Sequence, residues 1–242
     1  MHCFYIEPPV GDLAALPADE AKHAAKVLRL KPGDGVCAMD GLGGRFEAEI
    51  ASVEGGAVTV RLLGAMASNE APARVTIYQG VPKADKLDFI VQKLTELGAA
   101  ALVPVKMERC VVKLDEKDGK KRRERLSRIS LEATKQCRRA RVLEITEPMG
   151  WKQVLADTAK RELLLAPWED AQGLRIKDVF AEHPEAKDIG IVIGPEGGIA
   201  PEEIEAMTAV GAKPVTLGPR ILRTETASVV SAALSMQLWG DL

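Results

Sequence analysis

The stretch DIGIVIGPEGGIAPEEIEAMTAVGAKPVTLGPRILRTETA, residues 188–227, predicts two buried strands that each end in a glycine-bearing loop. The apolar runs 189–193 and 213–217 predict the strands. Pro201, the glutamates that follow it and Gly211 predict one helix between them. Because ligands of open α/β sheets bind beyond the carboxyl ends of strands, we expect loops 194–198 and 218–227 to line one pocket.

The composition of these two loops favours ligand binding over ordinary turns. GPEGG (194–198) contains three glycines, at which a backbone can approach a ligand closely because no side chain intervenes. GPRILRTETA (218–227) contains two arginines, a glutamate and two threonines. An isolated Gly-Pro pair is more often a plain turn, and neither loop matches the GxxxxGK[ST] or GxGxxG phosphate-binding motifs. We therefore expect a nucleotide-like ligand that backbone groups hold.

These residues also resemble a known family. GPEGG followed by LGPRILRTETA (217–227) is similar to the signature of the RsmE-type 16S rRNA methyltransferases, a branch of the SPOUT superfamily. The resemblance extends to QKLTELG (92–98) and to EATKQ (132–136) with Arg139. Cys110, Cys137 and Arg138 depart from the residues that are usual in the family. The resemblance implies transfer of a methyl group from S-adenosylmethionine to N3 of a uridine in small-subunit rRNA.

The overall composition is that of a soluble globular protein of one large or two small domains. Of 242 residues, 46% are hydrophobic and 28% are charged. No apolar run is long enough to span a membrane, and the N-terminus lacks the pattern of a signal peptide. Four scattered cysteines without a CxxC pair predict free thiols and a cytoplasmic protein, and together with only three histidines they give no reason to expect a metal.

Residues 1–70 predict a small β-rich domain. Runs 35–39, 45–53 and 57–63, separated by Gly-containing turns, predict short strands of a compact barrel or curled sheet. The resemblance implies that this is a PUA-like, RNA-binding domain. A predicted helix over 19–30 would place His23, Lys26 and Arg29 on one face, as RNA contacts or, alternatively, as a solvated face with a capping histidine. The domain is acidic, with six Lys/Arg against ten Asp/Glu.

Residues 71–242 predict the larger domain, after a polar, proline-containing segment at 68–73. Five strand-like runs, at 74–79, 101–105, 161–166, 189–193 and 214–217, alternate with helical patterns, which predicts an α/β fold with a parallel sheet. The amphipathic run 83–98 is the clearest helix. Periodicity alone predicts an ordinary doubly wound sheet. The resemblance to the SPOUT superfamily adds a C-terminal trefoil knot, formed by the loops after Ala166, Ile193 and Leu217.

The resemblance implies that S-adenosylmethionine lies bent within this knot. Backbone groups of Leu217, Gly218, Ile221 and Leu222 would contact the adenine, and Trp168 is expected in the pocket wall. The full set of expected cofactor-binding residues is Ala166, Pro167, Ile193, Gly194, Pro195, Glu196, Gly197, Gly198, Leu217, Gly218, Ile221, Leu222, Arg223 and Thr226.

A basic segment, 117–141, carries eleven Lys/Arg and three Asp/Glu in a chain whose net charge is −2. Such a face is usually only solvated, but this excess of positive charge favours a patch for the phosphate backbone of RNA. The segment has no aromatic residues, so we expect it to position RNA without stacking on bases. The expected RNA contacts outside the first domain are Arg109, Arg122, Arg123, Arg125 and Arg139.

Methyl transfer from a sulfonium to a nitrogen is an in-line displacement, so catalysis depends mainly on alignment. Uridine N3–H is a weak acid, and cations near the flanking carbonyls or a positioned base would assist its loss. We expect Arg223 to be the electrostatic stabiliser and Glu225 its orienting partner or the base, with Glu196 as a second candidate carboxylate. The alternative for Arg223 and Glu225 is a structural ion pair.

Two other functions remain open from the sequence. One is a SPOUT enzyme with another acceptor, such as a ribose 2′-hydroxyl. The other is a non-enzymatic RNA-binding assembly factor. The expected partner in each case is 16S rRNA or the small ribosomal subunit. A last predicted helix, 226–239, is apolar at Ala227, Val230, Leu234 and Leu238, and the resemblance implies that it forms a homodimer interface.

Overall fold

The structure is a computed structural model that describes residues 1–112 and 116–242. It divides into two compact units: Met1–Glu70 with Thr134–Val142, and Ala71–Ala133 with Leu143–Leu242. The sequence analysis divided the chain once, after residue 70, and the structure adds residues 134–142 to the first unit. Within the described ranges, no helix has the length and apolar character that a membrane crossing requires.

The first unit is a curled five-stranded sheet with the strand order β1-β3-β4-β5-β2. β1 and β3 are parallel, whereas the other neighbours are antiparallel. The backbone N–H of Glu7 donates to the carbonyl of Ala15 (2.9 Å), which links the chain after β1 to β2. The elements are β1 (Cys3–Tyr5), β2 (Leu13–Ala15), α1 (Ala18–Lys22), β3 (Gly35–Met39), β4 (Arg45–Glu54) and β5 (Ala57–Ala65).

The predicted helix over 19–30 is shorter in the structure. α1 passes into a π-helical turn, His23–Val27, and the helical backbone ends at Leu28. Arg29 follows with a φ of +54°, in the left-handed region. Pro32 disfavours a helical conformation at the residue before it, which is consistent with this early end. Arg29 therefore does not share a helix face with His23 and Lys26, and that expectation is wrong.

The second unit contains a parallel sheet with the order β12-β10-β11-β6-β7-β8, and β9 also pairs with β7. The strands are β6 (Arg74–Gly80), β7 (Ala101–Lys106), β8 (Glu144–Ile145), β9 (Met149–Gly150), β10 (Leu163–Pro167), β11 (Asp188–Ile193) and β12 (Lys213–Val215). The helices are α2 (Lys86–Glu96), α3 (Glu116–Cys137), α4 (Trp151–Thr158), α5 (Ile176–Glu182), α6 (Pro201–Ala209) and α7 (Thr224–Trp239).

This sheet is covered on both faces, which explains why its central strands are almost wholly apolar. Successive side chains of a strand point to opposite faces. Ile191 of β11 therefore lies in one core with side chains of α2, α5 and α7. Val192 lies in the other core with side chains of α4 and α6. The predicted α/β fold with a parallel sheet is confirmed.

The central position of β10 and β11 determines where a site can form. β10 pairs with β11 on one side and with β12 on the other, and all three run in the same direction. Their carboxyl ends, at Pro167, Ile193 and Val215, therefore lie at the same edge of the sheet. The loops that leave these strands begin side by side.

Candidate active site

Two clefts adjoin at the carboxyl edge of the sheet in the second unit. Cleft 1 has a volume of about 490 Å³ and lies between the chain after β10 and the chain after β12. Cleft 2 has a volume of about 560 Å³ and lies between GPEGG, the start of α7 and Lys86 of α2. Both volumes fall in the range of small-molecule sites, about 300–1,000 Å³. The residues that line both clefts are Pro167, Glu169, Ile221, Leu222 and Ala227.

The structure brings the two predicted loops together. Most of the expected cofactor residues line a cleft: Pro167, Ile193, Gly194, Pro195, Glu196, Gly197, Gly198, Leu217, Gly218, Ile221, Leu222 and Arg223. Two do not. Ala166 is fully buried within β10, and Thr226 is exposed on α7 outside both linings. Trp168 lies in the wall of cleft 1, as expected.

Gly194 and Gly197 of GPEGG are required by packing within the protein. The expectation was that glycines stand there to let a ligand approach the backbone. A Cβ atom on Gly194 would lie 2.7 Å from the backbone carbon of Gly198. A Cβ atom on Gly197 would lie 2.9 Å from the Cβ of Arg109. Gly218 is different, because it has a φ of +110° and no atom within 4 Å of its Cβ position. Open backbone in cleft 1 is therefore found at Gly218.

A buried hydrogen-bond network joins α7 to the glycine-rich loop. The hydroxyl of Thr224 donates to the carbonyl of Gly194 (2.6 Å) and accepts from the side-chain amide of Gln79 (2.9 Å). The hydroxyl of Ser228 donates to the carbonyl oxygen of the same Gln79 side chain. Since β6, the loop after β11 and α7 share this network, the start of α7 is held beside cleft 2.

Lys86 joins the two carboxylates that the sequence analysis selected. Its Nζ lies 3.0 Å from Oε1 of Glu196 and 3.2 Å from Oε2 of Glu225. Burial alone would raise the pKa of Glu196, but hydrogen bonds from Lys86 and from backbone N–H groups outweigh it and lower that pKa. The hydrogen bond to Glu196 raises the pKa of Lys86 despite partial burial. Lys86 and Glu196 are therefore both charged at neutral pH.

Arg223, expected as the electrostatic stabiliser, and Arg109, expected as an RNA contact, have different surroundings. Arg223 is exposed, lines cleft 2 and immediately precedes α7. Glu225 is paired with Lys86, and within the described residues no ion pair joins it to Arg223. Arg109 is exposed and donates to the carbonyl of Gly197 (3.0 Å). Both guanidinium groups border GPEGG, but Glu225 does not orient Arg223 as the sequence analysis expected.

The sequence analysis missed several residues of the site. Lys86 appeared only as one lysine of an amphipathic helix, and no motif distinguishes it. Glu169 lines both clefts as an exposed carboxylate, and Arg175 and Arg220 line cleft 1. A usable signal existed for Glu169 and Arg175, because both follow the predicted strand 161–166 on its carboxyl side.

Some of the cations of the basic helix α3 interact with other residues of the second unit. Arg125 lies 2.8 Å from Asp88 of α2, and Arg123 donates to the carbonyl of Ile145 (3.2 Å). Among the residues that the structure describes, one nitrogen of Arg122 is buried with no hydrogen-bond partner. In the part of α3 that the structure describes with side chains, the exposed cations without an ion pair are Lys117, Lys120, Lys121 and Arg128. Lys120, Arg123 and Arg128 line an open groove on this helix.

Arg139 is structural, which corrects its expected role in RNA binding. Its side chain is only 7% exposed, and its Nη2 lies 2.7 Å from Oε2 of Glu70 within the first unit. Its carbonyl accepts a hydrogen bond of 2.5 Å from the hydroxyl of Tyr5. By contrast, His23, Lys26 and Arg29 are all exposed on the first unit.

In residues 1–112 and 116–242, no group of three His, Cys, Asp or Glu side chains is arranged to hold a metal ion.

Similar proteins are known for both parts of the chain. A family model described as an RNA methyltransferase domain matches residues 69–236. A second, described as an RNA methyltransferase PUA domain, matches residues 16–63. The chain is 36% identical over 233 residues to the ribosomal RNA small subunit methyltransferase E of Bacillus subtilis, covering 92% of this chain and 90% of that protein.

Solved structures agree with the sequence relatives. The crystal structure of ribosomal RNA small subunit methyltransferase E from Neisseria gonorrhoeae, bound to S-adenosylmethionine, is similar with a TM-score of 0.84 at 30% identity, over 100% of this chain and 99% of that chain. A methyltransferase from Legionella pneumophila, in complex with the same cofactor, is similar with a TM-score of 0.81 at 30% identity over the full length of both.

Proposed function

Because the chain belongs to the family of the ribosomal RNA small subunit methyltransferases E, we propose that it methylates N3 of a uridine in 16S rRNA with S-adenosylmethionine as the methyl donor. The observation that carries the proposal is the meeting of GPEGG with the loop before α7 at two adjoining clefts. One cleft suits a nucleoside, and the other presents the charged groups that the reaction needs. The similar proteins from B. subtilis and N. gonorrhoeae carry the same family name.

The residues of cleft 1 fit the adenosine part of S-adenosylmethionine. Leu217, Ile221, Leu222 and Trp168 supply an apolar wall, and Gly218 leaves its backbone open. These are the residues that would hold the purine. When bound, S-adenosylmethionine supplies a methyl group activated by a positive sulfonium.

Acidic residues at the junction of the clefts fit the cationic part of the cofactor. Glu169 lines both clefts, and Glu196 lines cleft 2. A cation gains from carboxylates in a partly enclosed site, because solvent screening is reduced there. The chain would therefore orient its cofactor with apolar contacts at one end and negative charge at the other.

Cleft 2 is the proposed acceptor side. Arg223 is exposed to this cleft and has no ion pair within the described residues, so its guanidinium is available to stabilise negative charge on a uracil carbonyl as N3 loses its proton. Arg109, across GPEGG, is placed to hold a second carbonyl or a phosphate. Glu196 lines this cleft, and Glu225 is linked to it through Lys86. Alignment and electrostatics thus supply the catalysis.

RNA would contact exposed cations in both units. We propose His23, Lys26 and Arg29 for the first unit, a PUA-like unit by its match to that family model. In the second unit we propose the exposed cations of α3, together with Arg109. Such contacts position RNA through its phosphates and make affinity depend on salt. The uridine must also be unstacked to expose N3.

We further propose that the protein is a homodimer that pairs through α7. The buried face of α7 carries small and polar residues such as Ser228, Ser231 and Ser235. Val230 and Leu234 lie on the other side, and Leu234 is 37% exposed. An apolar face on the last helix needs a partner. A second copy supplies the same face by two-fold symmetry.

The proposal also includes a trefoil knot at the cofactor site and a cytoplasmic location. The loops that follow β10, β11 and β12 meet at the two clefts, which supports the expected trefoil knot around the cofactor. Because the proposed substrate is ribosomal RNA, we propose that the protein works in the cytoplasm.

The decisive experiment is methyl transfer to small ribosomal subunits from a strain that lacks this gene. Mass spectrometry of the nucleosides should find 3-methyluridine that depends on enzyme and S-adenosylmethionine. A 2′-O-methylated nucleoside would instead support the other acceptor. No saturable binding of S-adenosylmethionine by calorimetry would favour a non-enzymatic assembly factor.

A further inference from the structure

Lys86 is an unusual residue for the surface of an amphipathic helix, because it faces a cleft and contacts two other elements. Its ammonium group lies 3.0 Å from Glu196, in the loop after β11, and 3.2 Å from Glu225, in the first turn of α7. Its side chain is 28% exposed and that of Glu225 is 18% exposed. A lysine on a freely solvated helix face would keep its ammonium group in water, whereas that of Lys86 lies against two carboxylates.

The backbone just before α2 also contacts Glu196. The backbone N–H of Lys83 donates to Oε1 of Glu196 (3.0 Å), the same oxygen that Lys86 contacts. Between the two lysines, Ala84 has a φ of +53°, a left-handed conformation that is unfavourable for a non-glycine residue. Strain of this kind persists where surrounding contacts determine the conformation, and it concentrates at functional sites.

We propose that Lys86 is a positioning residue of the acceptor cleft, which clamps Glu196 of the glycine-rich loop to Glu225 of α7 and holds both carboxylates in place. The inference rests on the proposed function, because it assigns a task to groups beside the proposed acceptor. Lys86 acts through the two carboxylates and thereby sets the distance between the two loops that bound cleft 2.

The contact with Lys86 makes Glu196 a weaker base. A general base works best when its pKa is near the operating pH, whereas Lys86 lowers the pKa of Glu196 below its ordinary value. Glu196 is therefore an ionised hydrogen-bond acceptor and a weak base. Uracil offers an N3–H donor to such an acceptor, while cytosine offers an N3 lone pair, so a carboxylate acceptor at this position favours uridine.

The charged surroundings of Glu196 determine its pH dependence. Lys86 faces it from α2, Arg223 and Glu169 line the same cleft, and Glu225 shares Lys86 from α7. The lowered pKa means that Glu196 stays ionised to a lower pH than an ordinary glutamate does. Without Lys86 the carboxyl would protonate at a higher pH, and the acid limb of the activity profile would move in the same direction.

The test variant is Lys86→Met, and it has two controls. Lys86→Arg keeps the positive charge. Lys83→Met removes a nearby charge but keeps the backbone donor to Glu196. Carboxyl titration by carbon NMR, with Glu196→Gln for assignment, should show a higher pKa for Glu196 in Lys86→Met alone. The same variant should lose about 100-fold in kcat and shift the acid limb of the activity profile to higher pH. Lys86→Arg should keep most of the wild-type kcat and the wild-type position of the acid limb.

An unchanged Glu196 titration in Lys86→Met would overturn the clamp. So would a Lys86→Arg variant that is as impaired as Lys86→Met, because charge would then not matter. The NMR titration does not depend on methyl transfer. If wild-type protein fails to methylate the subunits, the proposed function fails, and the titration still decides whether Lys86 controls Glu196.

Discussion

Arg223 occupies the junction between the loop after β12 and the first turn of α7, where its guanidinium is exposed to cleft 2. The Arg223→Ala variant should keep its fold, because the side chain has no ion pair within the described residues. Loss of one preorganised charge-stabilising group lowers kcat by about 100-fold. The measurement is initial-rate methyl transfer to small subunits.

A suitable control for Arg223 is Arg74→Ala at the start of β6. Arg74 is also exposed, and among the described residues its only ion pair is with the exposed Glu144. This variant should methylate at close to the wild-type rate. Near-normal activity of Arg223→Ala in the same assay would remove Arg223 from the proposed catalytic group.

Arg139 and Glu70 show how a charged pair can serve stability alone. Both side chains are at least 88% buried, and their closest atoms are 2.7 Å apart. The Arg139→Met variant leaves Glu70 buried without its cation, which costs about 3–5 kcal/mol of unfolding free energy. Urea denaturation measures that loss. If stability is unchanged while RNA affinity falls, Arg139 would be an RNA contact after all.

At the scale of elements, the glycine-rich loop is limited by its own packing. In Gly194→Ala, the new methyl group would lie 2.7 Å from the backbone of Gly198 and 2.9 Å from that of Ile199. We expect a loss of about 1–3 kcal/mol in stability, since backbone atoms must shift to accept it. Calorimetry should also show weaker binding of S-adenosylmethionine.

Gly35→Ala provides a matched control for that variant, because no atom lies within 4 Å of its Cβ position and its φ is not positive. It should retain stability and cofactor affinity. Equal behaviour of the two variants would mean that the loop tolerates displacement and that its packing does not shape cleft 2.

Some cations of the basic helix α3 are paired within the protein, and others are exposed to solvent. Replacing Lys120, Lys121 and Arg128 with Gln removes cations that are exposed and have no ion pair among the described residues. If they contact phosphates, the slope of log affinity against log salt should decrease in magnitude by about 2–3. Filter binding across a salt series measures this slope.

Arg123 and Arg125 give the contrasting variant on the same helix, because Asp88, Glu147 and the carbonyl of Ile145 already engage them. Their double replacement with Gln should change the salt slope less than the triple variant does. A slope unaffected by the triple variant would make α3 a merely solvated face.

At the scale of the whole molecule, α7 is the proposed site of self-association. Replacing Val230 and Leu234 with Lys puts like charges on both copies of a two-fold interface, which opposes association. Sedimentation should show the monomer mass for this variant and twice that mass for wild type. Val10 and Leu63, which are 84% and 55% exposed, supply a control pair for replacement with Lys. A monomeric wild type would contradict the proposal.

Most of the second unit could be predicted because its signals are local. The five strands and the α2 helix follow from apolar runs and from a helical period, and each lies within a few residues of its predicted position. The edge strands β1 and β2 and the strands β8 and β9 contain two or three residues each, too few to show a period. The π-helical turn at His23–Val27 has no sequence signal that distinguishes it from an α-helix.

The sequence by itself determined which loops meet at the two clefts, because strand direction in an α/β sheet follows from the alternation of strands and helices. Only the tertiary structure decided which charges are paired. Lys86 meets Glu196 and Glu225, and Arg139 meets Glu70, although each pair is far apart in the chain. A charged residue has the same local pattern whether it faces water or another charge, and only the packing of distant elements distinguishes the two.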